Sequence, residues 1–204
     1  MQTMQFAPIR LEGQGIRLRP LVPEDLQALF AASDSSLWQW NPQIYVHSLA
    51  DMEKVLSLAL EAVSKGQRLA LVLQDKASNN VIGSSSFLNP DPTNLHVEIG
   101  ATWISPAFQK TFANPEAKLL MMRHAFESWG CRRVEFKTDS LNTHSRAALL
   151  KLGAKEEGTF RNHMLTHSGR MRHSVYFSVT DEEWPALKAS LEARLNSMGR
   201  KSCA

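Results

Sequence analysis

Apolar residues recur along this chain with two alternating periods. Between Gly15 and Pro20, Ile16 and Leu18 alternate with Arg17 and Arg19, the period-2 pattern of a strand with one buried face. Pro23-Glu24-Asp25 then opens a helix, since proline is tolerated in a first turn and acids suit the positive end of the helix dipole. Leu26, Leu29 and Phe30 share one face of it. Trp38 to Pro42 reads as a loop, and Ser48 begins a second helix containing Val55 to Val63. Leu69–Gln74 and Val81–Leu88 are predicted strands joined by the polar turn 76–80, and a further strand runs from Asn94 to Ile104.

Beyond residue 104 strands and helices alternate. Asn114-Pro115-Glu116 supplies an N-cap, a proline and an acid, which predicts a helix start at Asn114. Leu119, Met122, Phe126 and Trp129 follow at helical spacing until Gly130. Arg133–Asp139 alternates as a half-buried strand, Asn142 opens a helix that stops at Gly153, and 155–166 with 171–179 form a hairpin. Asp181 is the expected cap of a last helix carrying Trp184, Leu187, Leu191 and Leu195, with a polar tail after Asn196. The order implies an α/β (α+β) fold: a mixed, largely antiparallel sheet of about seven strands with helices on both faces. A doubly wound nucleotide fold is excluded, because regular alternation and a GxGxxG after the first strand are both missing.

Composition narrows the class. The 204 residues suit a single domain spanning 1–204, and 43% hydrophobic residues are ordinary for a globular chain. Cys131 and Cys203 make no metal-ligand or redox spacing, so a reducing compartment is expected. The start lacks the basic and apolar regions of a signal peptide, and no apolar run approaches a membrane span. These features predict a cytoplasmic protein without membrane partners. A net charge of +3 falls far short of the basic blocks of a nucleic-acid binder, and no nucleic-acid partner is expected. His163, His167 and His173 lie on the predicted hairpin without a matching carboxylate or thiolate set, so no metal is expected.

The segment Trp103 to Asn114 is where a strand ends, a loop turns and a helix begins. Unpaired backbone N–H groups of such a turn converge with partial positive charge and hold anions such as a pyrophosphate, and Lys110 adds a full charge. Taken alone this arrangement is common.

More specific is a set of motifs in order. Glu98-Ile99-Gly100 leads to Trp103, then to Gln109-Lys110-Thr111-Phe112-Ala113-Asn114-Pro115-Glu116-Ala117-Lys118 and His124-Ala125-Phe126-Glu127. Downstream come Arg133 to Asp139, Asn142, Ser145-Arg146-Ala147-Ala148, Leu152-Gly153-Ala154 and Glu183-Trp184-Pro185. Over residues 10–195 the chain resembles the GNAT superfamily of acetyltransferases, and within it the RimJ/RimL-type branch that acetylates N-termini of ribosomal proteins. The resemblance implies a GNAT-like sheet, acetyl-CoA as co-substrate without a metal, and an amine acceptor, either a peptide N-terminus or a small amine. It implies a monomer or homodimer. The alternative function is a non-catalytic CoA-binding or regulatory module.

The resemblance also assigns residues. Gln109, Lys110, Thr111, Phe112, Ala113 and Asn114 would hold the pyrophosphate, and Trp103 and Ile104 would offer backbone groups to the pantetheine arm. Asn142 would hydrogen-bond that arm while capping its helix. Phe112 and Asn114 stand where the family motif carries glycine and glycine or alanine; phenylalanine cannot copy glycine's backbone freedom, which bears on how tightly CoA is held. Acetyl transfer needs a neutral amine and a proton for the leaving thiolate. Glu98, interrupting an apolar strand, is the candidate base; the other reading is a paired structural carboxylate. Ser145 is the candidate acid or arm ligand, against a purely local helix hydrogen bond. Trp38 and Trp40 line the acceptor pocket or belong to the core.

Overall fold

The computed structural model describes Met4 and residues 6–198. Among the described residues, eight strands form one sheet in the order β1-β2-β3-β4-β5-β6-β8-β7. They are β1 (Leu11–Glu12), β2 (Ile16–Pro20), β3 (Arg68–Asp75), β4 (Val81–Asp91), β5 (His96–Ile104), β6 (Arg133–Asp139), β7 (Lys155–Leu165) and β8 (Met171–Thr180). Five α-helices accompany them among the described residues: α1 (Leu26–Ala32), α2 (Leu49–Ser64), α3 (Ala113–Arg123), α4 (Thr143–Leu152) and α5 (Trp184–Met198). The mixed, mostly antiparallel sheet agrees with the predicted class, with one strand more than expected. The extra strand is the two-residue β1, too short to leave a periodic signal.

Alternation along β3 divides the molecule into two cores. Leu69, Leu71 and Leu73 face α3 and α5 in the larger cluster, whereas Ala70 and Val72 face α1 and α2 in the second. Neighbouring strands pair antiparallel except β5 and β6, which run parallel. That parallel pairing is confined to His96↔Arg133, Val97↔Val134 and Glu98↔Glu135. Past Glu98 the two strands diverge, while β4 still follows β5 as far as Gly83↔Ile104. Among the described residues no helix is long and apolar enough to cross a membrane.

Three helix boundaries differ from expectation. Helix α3 starts at Ala113, with Phe112 rather than Asn114 at its N-cap. Thr111 is the competitor: its Oγ1 accepts from the Ala113 amide at 3.2 Å, which starts the helix earlier and leaves Asn114 in the first turn. After Arg123 the helix widens into a π turn over His124–Ser128, closed by the Trp129 amide donating to the His124 carbonyl at 3.1 Å. Helix α5 begins at Trp184; Asp181 instead pairs with Arg132, and Glu183 accepts from the Thr180 amide. The helix carries past Asn196 to Met198, and the rest of the expected tail, with Cys203, lies outside the described residues.

Glu116 ties the start of α3 to the sheet. Its buried carboxylate accepts hydrogen bonds from the consecutive amides of Gln14, Gly15 and Ile16, where the chain enters β2. Three donors offset the desolvation of a buried charge. The latch fixes the helix end that borders the opening between β5 and β6.

Candidate active site

The divergence of β5 from β6 leaves a wedge in the sheet, with α3 following one strand and α4 the other. It opens into a cavity of about 1110 Å³, ample for an extended ligand. At its mouth the loop from Ser105 to Phe112 turns through Lys110, whose φ is +60°. The amides of Lys110, Thr111, Phe112 and Asn114 find no acceptor among the described residues. Free amides at a helix start, with Lys110 among them, are the kind of arrangement that suits an anion. Gln109 bends back so that its Nε2 donates to the Ile104 carbonyl at 3.3 Å, closing the base of the loop.

The left-handed residue of the loop is therefore Lys110, and Phe112 has ordinary helical angles, φ −66°. A glycine at 112 is not needed for backbone geometry. The Phe112 ring does not line the cavity; it packs on the larger core and against Gly15. Neither Phe112 nor Ala113 presents a side chain to the cleft, so each can serve a ligand through its backbone alone.

Opposite this loop, Asn142 sits at the N-cap of α4, its Oδ1 accepting from the Ser145 amide at 3.0 Å. Both side chains line the cavity. The Ser145 hydroxyl makes no hydrogen bond to any described residue, so the local helix bond weighed from sequence does not form. Backbone divergence and a bulge meet between these helices. Ser84 pairs with Trp103 and Ser86 with Gly100, so Ala101 and Thr102 together oppose Ser85, and Ala101 takes φ +48°. A bulge of this kind re-aims backbone groups at a site.

Glu98 lies at the apex of the wedge and is buried. Its Oε2 accepts from Asn89 Nδ2 at 3.0 Å and pairs with Lys137 Nζ at 3.3 Å. Its Oε1 accepts from no described residue and lies 2.9 Å from where a Cβ on Gly100 would sit. One oxygen of the carboxylate is thus paired, while the other has no hydrogen-bond partner among the described residues. Trp38 is a core residue, packed at 5.7 Å on Trp103, and Trp40 is half-buried; both border the cavity. The cleft thus gathers Glu98, Trp103, Ile104, Gln109, Lys110, Thr111, Asn114, Asn142 and Ser145 with the two tryptophans.

Comparison with known proteins gives this geometry a family. Residues 16–155 match the family model described as an acetyltransferase (GNAT) domain. The chain belongs to the GNAT acetyltransferases. A GCN5-related N-acetyltransferase of known structure from Brucella melitensis is 34% identical, with a TM-score of 0.85 over 92% of this chain and 85% of that one. An uncharacterized N-acetyltransferase, YoaA of Bacillus subtilis (strain 168), is 24% identical over 85% of this chain and 98% of its own length. The structure of Mycobacterium smegmatis RimJ in complex with CoA-disulfide, 21% identical, shares the fold with a TM-score of 0.73 over 93% of each chain. The protein is accordingly an acetyltransferase enzyme.

Two side chains that sequence reading passed over stand out in this GNAT cleft. Lys118, one turn into α3, is buried, with Nζ donating to Thr102 Oγ1 at 2.8 Å and lying 5.5 Å from the centre of the Phe136 ring. It therefore spans from β5 to β6 beneath the wedge. Burial without a carboxylate partner lowers its pKa to about 7. On the other face of the sheet, Arg68 at the start of β3 lines the cavity near Glu98. A lysine inside an amphipathic helix and an arginine at a strand end both read as solvent-facing, and only tertiary packing shows otherwise.

Proposed function

We propose that this enzyme moves the acetyl group of acetyl-CoA to a primary amine by direct attack in a ternary complex. The observation that carries the reading is the wedge itself: an anion cradle at its mouth, unpaired strand edges along it, and a carboxylate with one free oxygen at its apex. The cradle from Gln109 to Asn114 suits the pyrophosphate, and the inner edge of β5 at Trp103 and Ile104 suits the amides of the pantetheine arm, which would lie as an added strand. Asn142 and Ser145 would meet the arm from the opposite wall. The thioester then falls beside the bulge at Ala101, next to Glu98.

In this arrangement the acceptor nitrogen attacks the thioester carbon, the C–S bond breaks, Glu98 Oε1 takes the proton leaving nitrogen, and the Ser145 hydroxyl donates a hydrogen bond to the departing thiolate, which leaves as CoA thiolate or takes its proton from water. A positioned acid or base of this kind contributes about 10²–10⁴-fold. The acceptor is a protein N-terminus, as in the RimJ/RimL branch, or a small amine, because an α-amine with a pKa of about 8 is already partly neutral at pH 7. Since Phe112 has helical angles and points away from the cleft, the loop gives no ground for preferring a non-catalytic CoA-binding module. Mass spectrometry of ribosomal proteins, peptides and small amines after incubation with acetyl-CoA tests the proposal. Acetylated products with equimolar CoA thiol release are the expected outcome; thiol release without any N-acetyl product would overturn it.

A further inference from the structure

Charges on the acceptor face of the cleft do not balance. Glu98 is paired with Lys137, and Asp139 at the end of β6 with Arg170. Three further arginines line the same cavity, Arg194 from α5 and Arg68 and Arg172 from the sheet; neither sheet arginine has a carboxylate within ion-pair distance among the described residues. Arg172 donates through Nε to Ser174 Oγ at 3.0 Å, and Arg68 through Nε to Ser86 Oγ at 2.9 Å. The terminal nitrogens of Arg68 find no acceptor among the described residues. Burial lowers the pKa of both guanidiniums, that of Arg68 to about 10; the nearby carboxylates of Asp139 and Glu98 offset part of the effect at Arg172, whereas Arg68 has given up water without an anion in return. A half-buried guanidinium with an unused fork is matched to a planar anion from outside the chain.

Its placement defines what that anion belongs to. Arg68 is in register with Leu88, and Leu88 with Glu98, so the three side chains share one face of the sheet. Two strand spacings put the α-carbons of Arg68 and Glu98 about 10 Å apart. Ser86, which anchors Arg68 Nε, is in register with Gly100, over which the Glu98 carboxylate leans. The guanidinium is thereby turned toward the bulge where the acetyl group would be presented, at a distance one amino acid or a dipeptide can bridge.

We propose that the acceptor carries a carboxylate close to its reactive amine, and that Arg68 binds that carboxylate. The inference rests on the N-acetylation reading above and specifies its substrate class. The carboxylate has two sources: the α-carboxylate of a free amino acid, or an acidic side chain just after a peptide N-terminus.

Matched acceptors separate them. Alanine against alaninamide tests the free amino acid, and Ala-Asp amide against Ala-Asn amide tests the acidic peptide, with CoA release followed for wild type, Arg68→Gln and Arg68→Lys. The anionic member of one pair is expected to have a KM at least tenfold lower with wild type, the size of one charge-assisted contact. Arg68→Gln should remove that preference, and Arg68→Lys should retain part of it because the charge stays and the fork is lost. Equal KM within both pairs, or an equal rise for both members in Arg68→Gln, overturns the inference. Should wild type bind CoA but acetylate none of the four, the acetylation reading fails. Calorimetry of the N-acetylated forms of the four acceptors with the CoA-loaded enzyme then judges Arg68 separately: preference for an anionic member supports it, and equal or absent binding rejects it.

Discussion

The ring of Phe112 fills the space that a side chain at Gly15 would need. Contact between the start of α3 and the entry to β2 is thus made twice, by this packing and by the Glu116 carboxylate on the amides of 14–16. Phe112→Gly should therefore weaken the enzyme rather than improve its cofactor loop. Removing most of an aromatic side chain from a packed site costs about 3 kcal/mol, and a glycine at a helix N-cap adds freedom to the loop. Denaturant melts and CoA titration of the variant should show lower stability and weaker binding. Tighter CoA binding would mean that the ring obstructs the cradle after all.

Glu98 and Gly100 offer a paired test of the base. Glu98→Gln should preserve CoA affinity and lower turnover by about 10²–10⁴-fold. Activity should return as pH rises, because the acceptor amine then loses its proton without help; acceptors resembling lysine, with a pKa of about 10.4, should suffer more than α-amines. Gly100→Ala should reproduce part of the loss by pushing the carboxylate aside, its Cβ meeting Glu98 Oε1 at 2.9 Å. A pH–rate profile for both variants is the measurement. Unchanged rates at every pH would remove Glu98 from the mechanism.

Lys118 should write itself into the pH dependence of stability. Its folded pKa is depressed to about 7 from 10.5, so between these values the unfolded chain holds a proton that the folded chain has released. Stability then rises with pH across that window, by at most about 1.4 kcal/mol per unit, and below pH 7 the full burial penalty applies. Lys118→Met should be more stable than wild type at pH 6 and lack this rise. Parallel melting curves for the two proteins from pH 6 to 9 would show that Lys118 is not the titrating group.

Cofactor binding should stabilise the fold. A ligand that binds only the native state at 100 times its Kd adds about 2.7 kcal/mol, several degrees in Tm for a domain of this size. Acetyl-CoA and CoA should both raise Tm, and Lys110→Glu should reduce the effect by placing an anion in the cradle. A Tm indifferent to millimolar CoA would be incompatible with the proposed reading.

Much of the scaffold was legible because hydrophobic period follows burial directly. The alternation Ile16/Leu18 and Val134/Phe136 marks strands with one buried face, and both residues of each pair are buried. Asn142 was readable as a cap for the same local reason. Errors arose where two local signals compete or where the decisive contact is remote. At α3 both Thr111 and Asn114 can start a helix, and only the packing of Phe112 on Gly15 and of Glu116 on residues 14–16 favours the earlier start. The side chains of Lys118 and Arg68 carry no periodic anomaly, and their burial depends on Thr102 and Ser86, neither of which is a sequence neighbour.

On the proposed reading, the brief parallel pairing of β5 with β6 would also act as a sieve on ligand shape. Three residue pairs hold the strands together, after which their pairing ends. Neighbouring strands sit about 4.8 Å apart, so an extended chain lies between β5 and β6 in the plane of the sheet only beyond the paired residues, where they stand about 9.6 Å apart. A linear arm can thread toward Glu98 while its bulky charged end stays at the wide mouth with Lys110. A branched or cyclic acyl group would stall before the bulge at Ala101. On the proposed reading acyl-chain discrimination would be set by the backbone, and side-chain substitutions along the cleft should widen it far less than an insertion that moves the last paired residues, Glu98 and Glu135.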